Sequence, residues 1–175
     1  MRELTFEERK ELVNNAVEII KRINEQAIAN HKFMNMVYIF KSGKGVGLPI
    51  EFEEPEEKDA LFRGINQNLK KYKPDFAIFT AESWFVTRPA DNMADIKEDD
   101  LPLPSECPDR REAYTINART DGFSRMIILP FTRLKDGSIQ FEEEIEYNSA
   151  DNIDGYDKLF NGVFTDGMET IGGIQ

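Results

Sequence analysis

Two stretches hold the residue types from which a site could be built. Glu82-Ser83-Trp84 lies in an apolar run, and downstream the chain reads PSECPDRRE from Pro104 to Glu112. Glu82, Glu106 and Asp109, with Glu112 beside them, could together hold Mg²⁺ or Mn²⁺, hard cations that prefer carboxylate oxygens. A metal held that way suits phosphoester hydrolysis. The spacing matches no metal motif, and 33 of the 175 residues are acidic, so acidic clusters arise by chance. Arg110 presents a planar fork that grips a carboxylate through two parallel hydrogen bonds. Strand alternation places Glu82 on the face of Ile78 and Trp84, where a carboxylate is costly to bury unless paired. The expectation is therefore an ion pair, with Arg110 the natural partner, pinning the loop before it to the strand. Glu82, Trp84, Ser105, Arg110 and Glu112 would then make a structural motif rather than a catalytic one.

The nucleophiles here are weak candidates. Ser105 needs a base within reach, and His31, the one histidine, is distant in sequence. No nucleophile-elbow pattern surrounds Ser105, and a turn or cap role needs nothing further. Cys107 as a nucleophile would be helped by Arg110 or Arg111 and opposed by Glu106 and Asp109, whose charges disfavour a thiolate. One cysteine and one histidine leave no set for structural zinc. DNIDGYD, residues 151–157, fails as a calcium loop: setting Gly155 at the sixth position puts Ala150 first and Asn161 twelfth. GKGVG, residues 43–47, lacks the Gly-Lys-Ser/Thr ending of a phosphate loop and joins two strands. No cofactor is expected.

The net charge is −11, which repels nucleic-acid phosphates unless a basic patch gathers locally. The nearest to one is Lys70, Lys71 and Lys73, at the C-terminal end of an expected helix, where cations suit the helix dipole. Direct nucleic-acid binding is not expected. A single cysteine fits a reducing compartment, MRELTFEERK lacks the apolar core of a signal peptide, and no run reaches the ~18 apolar residues of a membrane span. The expectation is a cytoplasmic protein with no membrane association.

These residues must be positioned by the surrounding elements. Thr5-Phe6-Glu7-Glu8 spells a capping box, and Leu12, Ala16, Ile19, Ile20, Ile23 and Ala27 follow at helical spacing, which predicts a helix over 6–29. Residues 33–52 read as a hairpin: β-formers to Lys41, turn freedom at Gly43, Gly45 and Gly47, then alternation of Val46, Leu48, Ile50 and Phe52, with Pro49 favouring an edge. A second helix is predicted over 56–72, with Leu61, Ile65, Leu69 and Tyr72 on one face and Gly64 explained by close packing on a sheet. Residues 75–87 are apolar on both alternating faces, which suits a central strand covered on both sides. Residues 88–110 form a long loop. Asp121-Gly122 and Asp136-Gly137 then punctuate a three-stranded meander. Its last strand points Ile139, Phe141, Ile145 and Tyr147 one way and Gln140, Glu142, Glu144 and Glu146 the other, toward water.

The acid-x-Trp of Glu82 and Trp84, a polar loop, and Pro104, Ser105, Glu106, Pro108, Asp109, Arg110 and Glu112 resemble a family of small uncharacterised proteins of bacteria, archaea and phages. Asp121-Gly122 fits the same pattern. The resemblance spans residues 33–147 and implies a shared fold without an activity. That pattern has His where this chain has Cys107, which removes a general base or metal ligand from the position.

The expected fold is α+β: residues 1–147 as one domain with an antiparallel sheet of five to six strands and both helices on one face, and 148–175 as a partly ordered acidic, Gly-rich tail with Phe160, Val163 and Phe164 docked on the core. Three functions remain open. The first is a non-enzymatic partner-binding or regulatory protein of prokaryotic or phage origin, engaging a protein partner or a second copy through the acidic sheet face and the 88–110 loop. The others are a metal-dependent hydrolase using Glu82, Glu106 and Asp109, with Arg110 nearby, and an acidic mimic of nucleic acid built on Glu142, Glu144 and Glu146.

Overall fold

The computed structural model describes residues 3–86, 106–149, 159–160 and 162–164. Helix α1 spans Phe6–Ala29, and its N-terminus closes as a reciprocal pair: the Glu8 amide donates to Thr5 Oγ1 (3.3 Å) and the Thr5 amide donates to Glu8 Oε2 (2.8 Å). Strands β1 (Met36–Lys41) and β2 (Lys44–Pro49) form the hairpin, and helix α2 (Pro55–Tyr72) follows. Strands β3 (Phe76–Phe85), β4 (Arg111–Thr120), β5 (Phe123–Arg133), β6 (Ile139–Phe141) and β7 (Ile145–Ser149) complete a single α+β domain. The sheet is antiparallel in the order β2-β1-β3-β4-β5-β6, with β7 also on β5.

The seventh strand comes from a bulge. Phe131 pairs with Phe141, but Ile128 pairs with Ile145, so three residues of the last strand oppose two of β5. One extra residue reverses the alternation beyond it. Phe141 lies on the α1 face with Phe131, whereas Ile145 and Tyr147 turn to the other face and Glu146 comes to the α1 face opposite Ile127. The expected uniform row of outward glutamates is thereby broken. Glu142 pairs with Arg111, Glu144 with Lys21 of α1, and Glu146 with Arg125 (2.8 Å).

The helices lie on opposite faces of the sheet, not on one. Val13, Val17, Ile20 and Ile28 of α1 pack on Phe76, Ile78, Tyr114, Ile116 and Ile127. Phe62 and Leu69 of α2 pack with Val37 and Ala77, together with Leu159, Phe160 and Phe164 from near the C-terminus. The topology accounts for this. β2 and β3 both run antiparallel to β1 and hence parallel to each other, so α2 is a crossover whose face follows from right-handed connection. The face left over goes to α1.

Two glycine expectations part company. An added Cβ at Gly45 would meet the Phe40 ring at 2.7 Å, and one at Gly47 would meet the Tyr38 ring at 3.3 Å. The GKGVG run therefore lets two aromatic side chains lie over the edge strand, and Phe40 in turn stacks on Phe76 (4.3 Å between centroids). Gly64, by contrast, has nothing within 4 Å of an added Cβ. Close packing does not explain it.

Candidate functional site

The residues singled out in the sequence meet at the C-terminal end of β3. Coverage of this strand fades along its length: Phe76, Ala77, Ile78 and Thr80 are buried, while Glu82 and Trp84 are exposed. The reason is register. β1 stops pairing at Met36–Thr80, whereas β4 follows β3 on to Phe85–Arg111. Among the described residues, the last part of β3 thus has a strand on one side only. Asn35 Oδ1 accepts from the Glu82 amide there (3.1 Å), standing in for the missing ladder. The expected cover on both sides holds for the first half of the strand, and Glu82 escapes the burial expected for it.

Glu82 is paired, and Arg133 of β5 is the residue that grips it (Nη2 to Oε1, 3.0 Å), in place of the expected Arg110. Arg133 Nε also donates to Glu112 Oε2 (3.2 Å), and its Nη1 lies 3.4 Å from His31 Nδ1. His31 Nε2 is 3.0 Å from the Gly137 carbonyl, which can only accept, so the ring proton sits on Nε2 and Nδ1 is left to accept. One guanidinium from β5 therefore ties together β3, β4 and the segment after α1. Arg110 instead lies over the Trp84 ring, 4.8 Å from its centroid. Arg111 pairs with Glu142 and lies over Phe85 at 5.2 Å.

Of the remaining motif residues, Glu106 and Asp109 are exposed in a turn closed by the Arg110 amide donating to the Cys107 carbonyl (3.2 Å), and Cys107 is a buried free thiol. Ser105, Pro104 and most of the expected 88–110 loop lie outside the described residues. Glu82, Glu106 and Asp109 are not brought together as a metal shell. Among the described residues no group of three or more His, Cys, Asp or Glu is arranged to hold a cation.

Beside this network is a groove of about 490 Å³, walled by Phe33, Phe52, Trp84 and Phe131 and rimmed by Glu51, Glu82 and Glu112. It follows the side of β3 that no described strand pairs with, between the approach to β1 and the exit from β2. Arg133 was missed in the sequence, although a signal existed. Ile127, Leu129, Phe131 and Arg133 alternate on one face of β5, the face that Glu112 shares across the β4–β5 ladder. What could not be read was the distance between β3 and β5 with β4 between them.

Elsewhere the described charges serve the fold. Arg125 reaches Glu18 (2.9 Å) and Glu146 (2.8 Å), and its hydrogen bond holds the Glu146 carboxyl below the usual carboxylate range. Buried Asn24 donates to the Tyr114 hydroxyl (2.9 Å), which burial pushes above the usual tyrosine range. Among the described residues no helix is long and apolar enough to cross a membrane. No family model matches the chain, and no curated protein and no solved structure matches it.

Proposed function

We propose that this protein works by binding another protein, and that the groove beside Trp84 receives a basic side chain from an extended partner segment. The observation that carries this reading is an aromatic groove rimmed with acid along a strand edge. Its walls include Phe33, Phe52 and Trp84, surfaces suited to the aliphatic stem of Lys or Arg, and the chain's own Arg110 over Trp84 and Lys58 over Phe52 already set cations against two of these rings. Among the described residues its rim has three carboxylates, Glu51, Glu82 and Glu112, against two guanidinia, Arg133 on Glu82 and Glu112 and Arg110 over Trp84, so negative charge is in excess by one there. Among the described residues no strand pairs with β3 beyond Thr80 on its β1 side, and past the Glu82 amide, which Asn35 takes, the backbone at Trp84 is the kind of edge that extended peptides use. The nucleic-acid-mimic alternative draws less support, because Glu142, Glu144 and Glu146 are each engaged by a cation of the same chain. The hydrolase alternative would need Glu82, Glu106 and Asp109 in one shell.

The chain has a single tryptophan, so Trp84 emission reports on the groove directly. Short extended peptides containing Lys or Arg between apolar residues should shift that emission saturably, and analogues with Glu in place of the cation should not. Glu51→Lys, on the exposed rim, should weaken the response about tenfold, the scale of a charge-assisted contact. A flat titration with every peptide up to about 1 mM, the weakest affinity worth the name, would end this reading.

A further inference from the structure

Helix α1 carries two apolar stripes, and among the described residues the core buries one. Val13, Val17, Ile20 and Ile28 are buried in the core, while Leu12, Ile19 and Ile23 are 43, 59 and 55 % exposed. With Ala16 between them, itself partly buried against the core, Leu12, Ala16, Ile19 and Ile23 recur at intervals of four, three and four, the spacing of a helix–helix seam. The seam lies on the flank of α1 away from Lys21 and Arg125, whose ion pairs bind α1 to the β5–β7 side. It therefore overlooks the β1–β2 half of the sheet, where Tyr38 and Phe40 are only partly buried. The reason is width. Six strands at ~4.8 Å spacing span roughly 24 Å, and one helix is ~10–12 Å across.

We infer that this seam is an interface between two copies of the chain, with α1 packed antiparallel on the partner's α1 over the β1–β2 half of each sheet. This is independent of the Trp84 reading. The choice of a second copy rests on self-complementarity, which a two-fold interface requires. In antiparallel register Leu12 meets Ile23 of the partner subunit and Ala16 meets Ile19 of the partner subunit, pairing small with large. The exposed flanking charges then match as well: Glu11 comes beside Arg22 of the partner subunit, twice by symmetry. A parallel pair would set like charges together. A helix of 24 residues is about 36 Å long, so the seam and the strand shelf together offer a contact that runs the length of α1.

Sedimentation velocity on the full chain from about 1 to about 200 µM, the span of weak to moderate self-association, tests the inference. The expected result is a shift to twice the 20.2 kDa chain mass. Ile19→Glu, at an exposed position, should stay monomeric throughout with unchanged circular dichroism. Glu11→Arg and Arg22→Glu should each weaken the dimer about tenfold, and the two together should restore it. A wild-type monomer at every concentration, or a dimer indifferent to Ile19→Glu, overturns the interface. Loss in both single variants without restoration in the double overturns the antiparallel pairing.

Discussion

The two faces of the sheet are held by different chemistry. On the α1 face, apolar packing is fastened by directional contacts: Asn24 to Tyr114, Arg125 to Glu18 and Glu146, Lys21 to Glu144. On the α2 face the described contacts are mainly aromatic, with Phe62 edge-on to Phe79 (5.4 Å) and to Phe52 (6.5 Å), and Asn66 Nδ2 donating to the Leu159 carbonyl (2.9 Å). An apolar groove of about 540 Å³ stays open between α2 and the hairpin, lined by Ile39, Val46, Leu48, Ile65, Leu69 and Tyr72. Hydrogen bonds and ion pairs fix one geometry, whereas apolar contacts tolerate several. The lesson is that the α1 face specifies the fold and the α2 face completes it.

The strongest test compares two fully buried residues. Ile127→Ala on the α1 face should cost about 2–5 kcal/mol in chemical denaturation, the usual range for such a cavity. Phe160→Ala on the α2 face should cost less than the ~3 kcal/mol that opens the range for a buried phenylalanine, because a face held mainly by apolar contacts is expected to open locally, with α2, Leu159 and Phe160 as the unit. Hydrogen exchange should then rise in α2 alone; faster exchange through β3–β5 would break the distinction between the faces.

A smaller effect sharpens it. Tyr114→Phe removes one hydroxyl and strands the buried Asn24 amide, at about 1–3 kcal/mol. Denaturation of Asn24→Leu with Tyr114→Phe should recover part of that loss, since both polar partners are then gone. Smallest is a gain: Gly64→Ala, in an exposed helix interior with space for the methyl, should stabilise by about 0.5–1 kcal/mol, read as a raised melting temperature.

Much of the local structure was legible. The helix predicted over 6–29 is Phe6–Ala29, because a capping box and a change of periodicity involve residues within four positions of each other. Asp121-Gly122 and Asp136-Gly137 mark turns whose glycines take positive φ, 74° and 86°. A central β3, flanked by β1 and β4, followed from its two apolar faces. At the candidate site, the pairing of Glu82 with an arginine was foreseen, but the arginine was not.

The sequence by itself determined where the helices and turns are, which residues are apolar and which strand is central, since these rest on backbone preferences and spacing along the chain. Only the tertiary structure decided which of the two stripes on α1 is buried, that α2 takes the opposite face, that Arg133 rather than Arg110 holds Glu82, and that Glu146 faces α1. Each of those depends on crossover direction or on strand register. A single extra residue between Phe141 and Ile145 reverses every side chain after it, and no local preference records which way the chain has crossed.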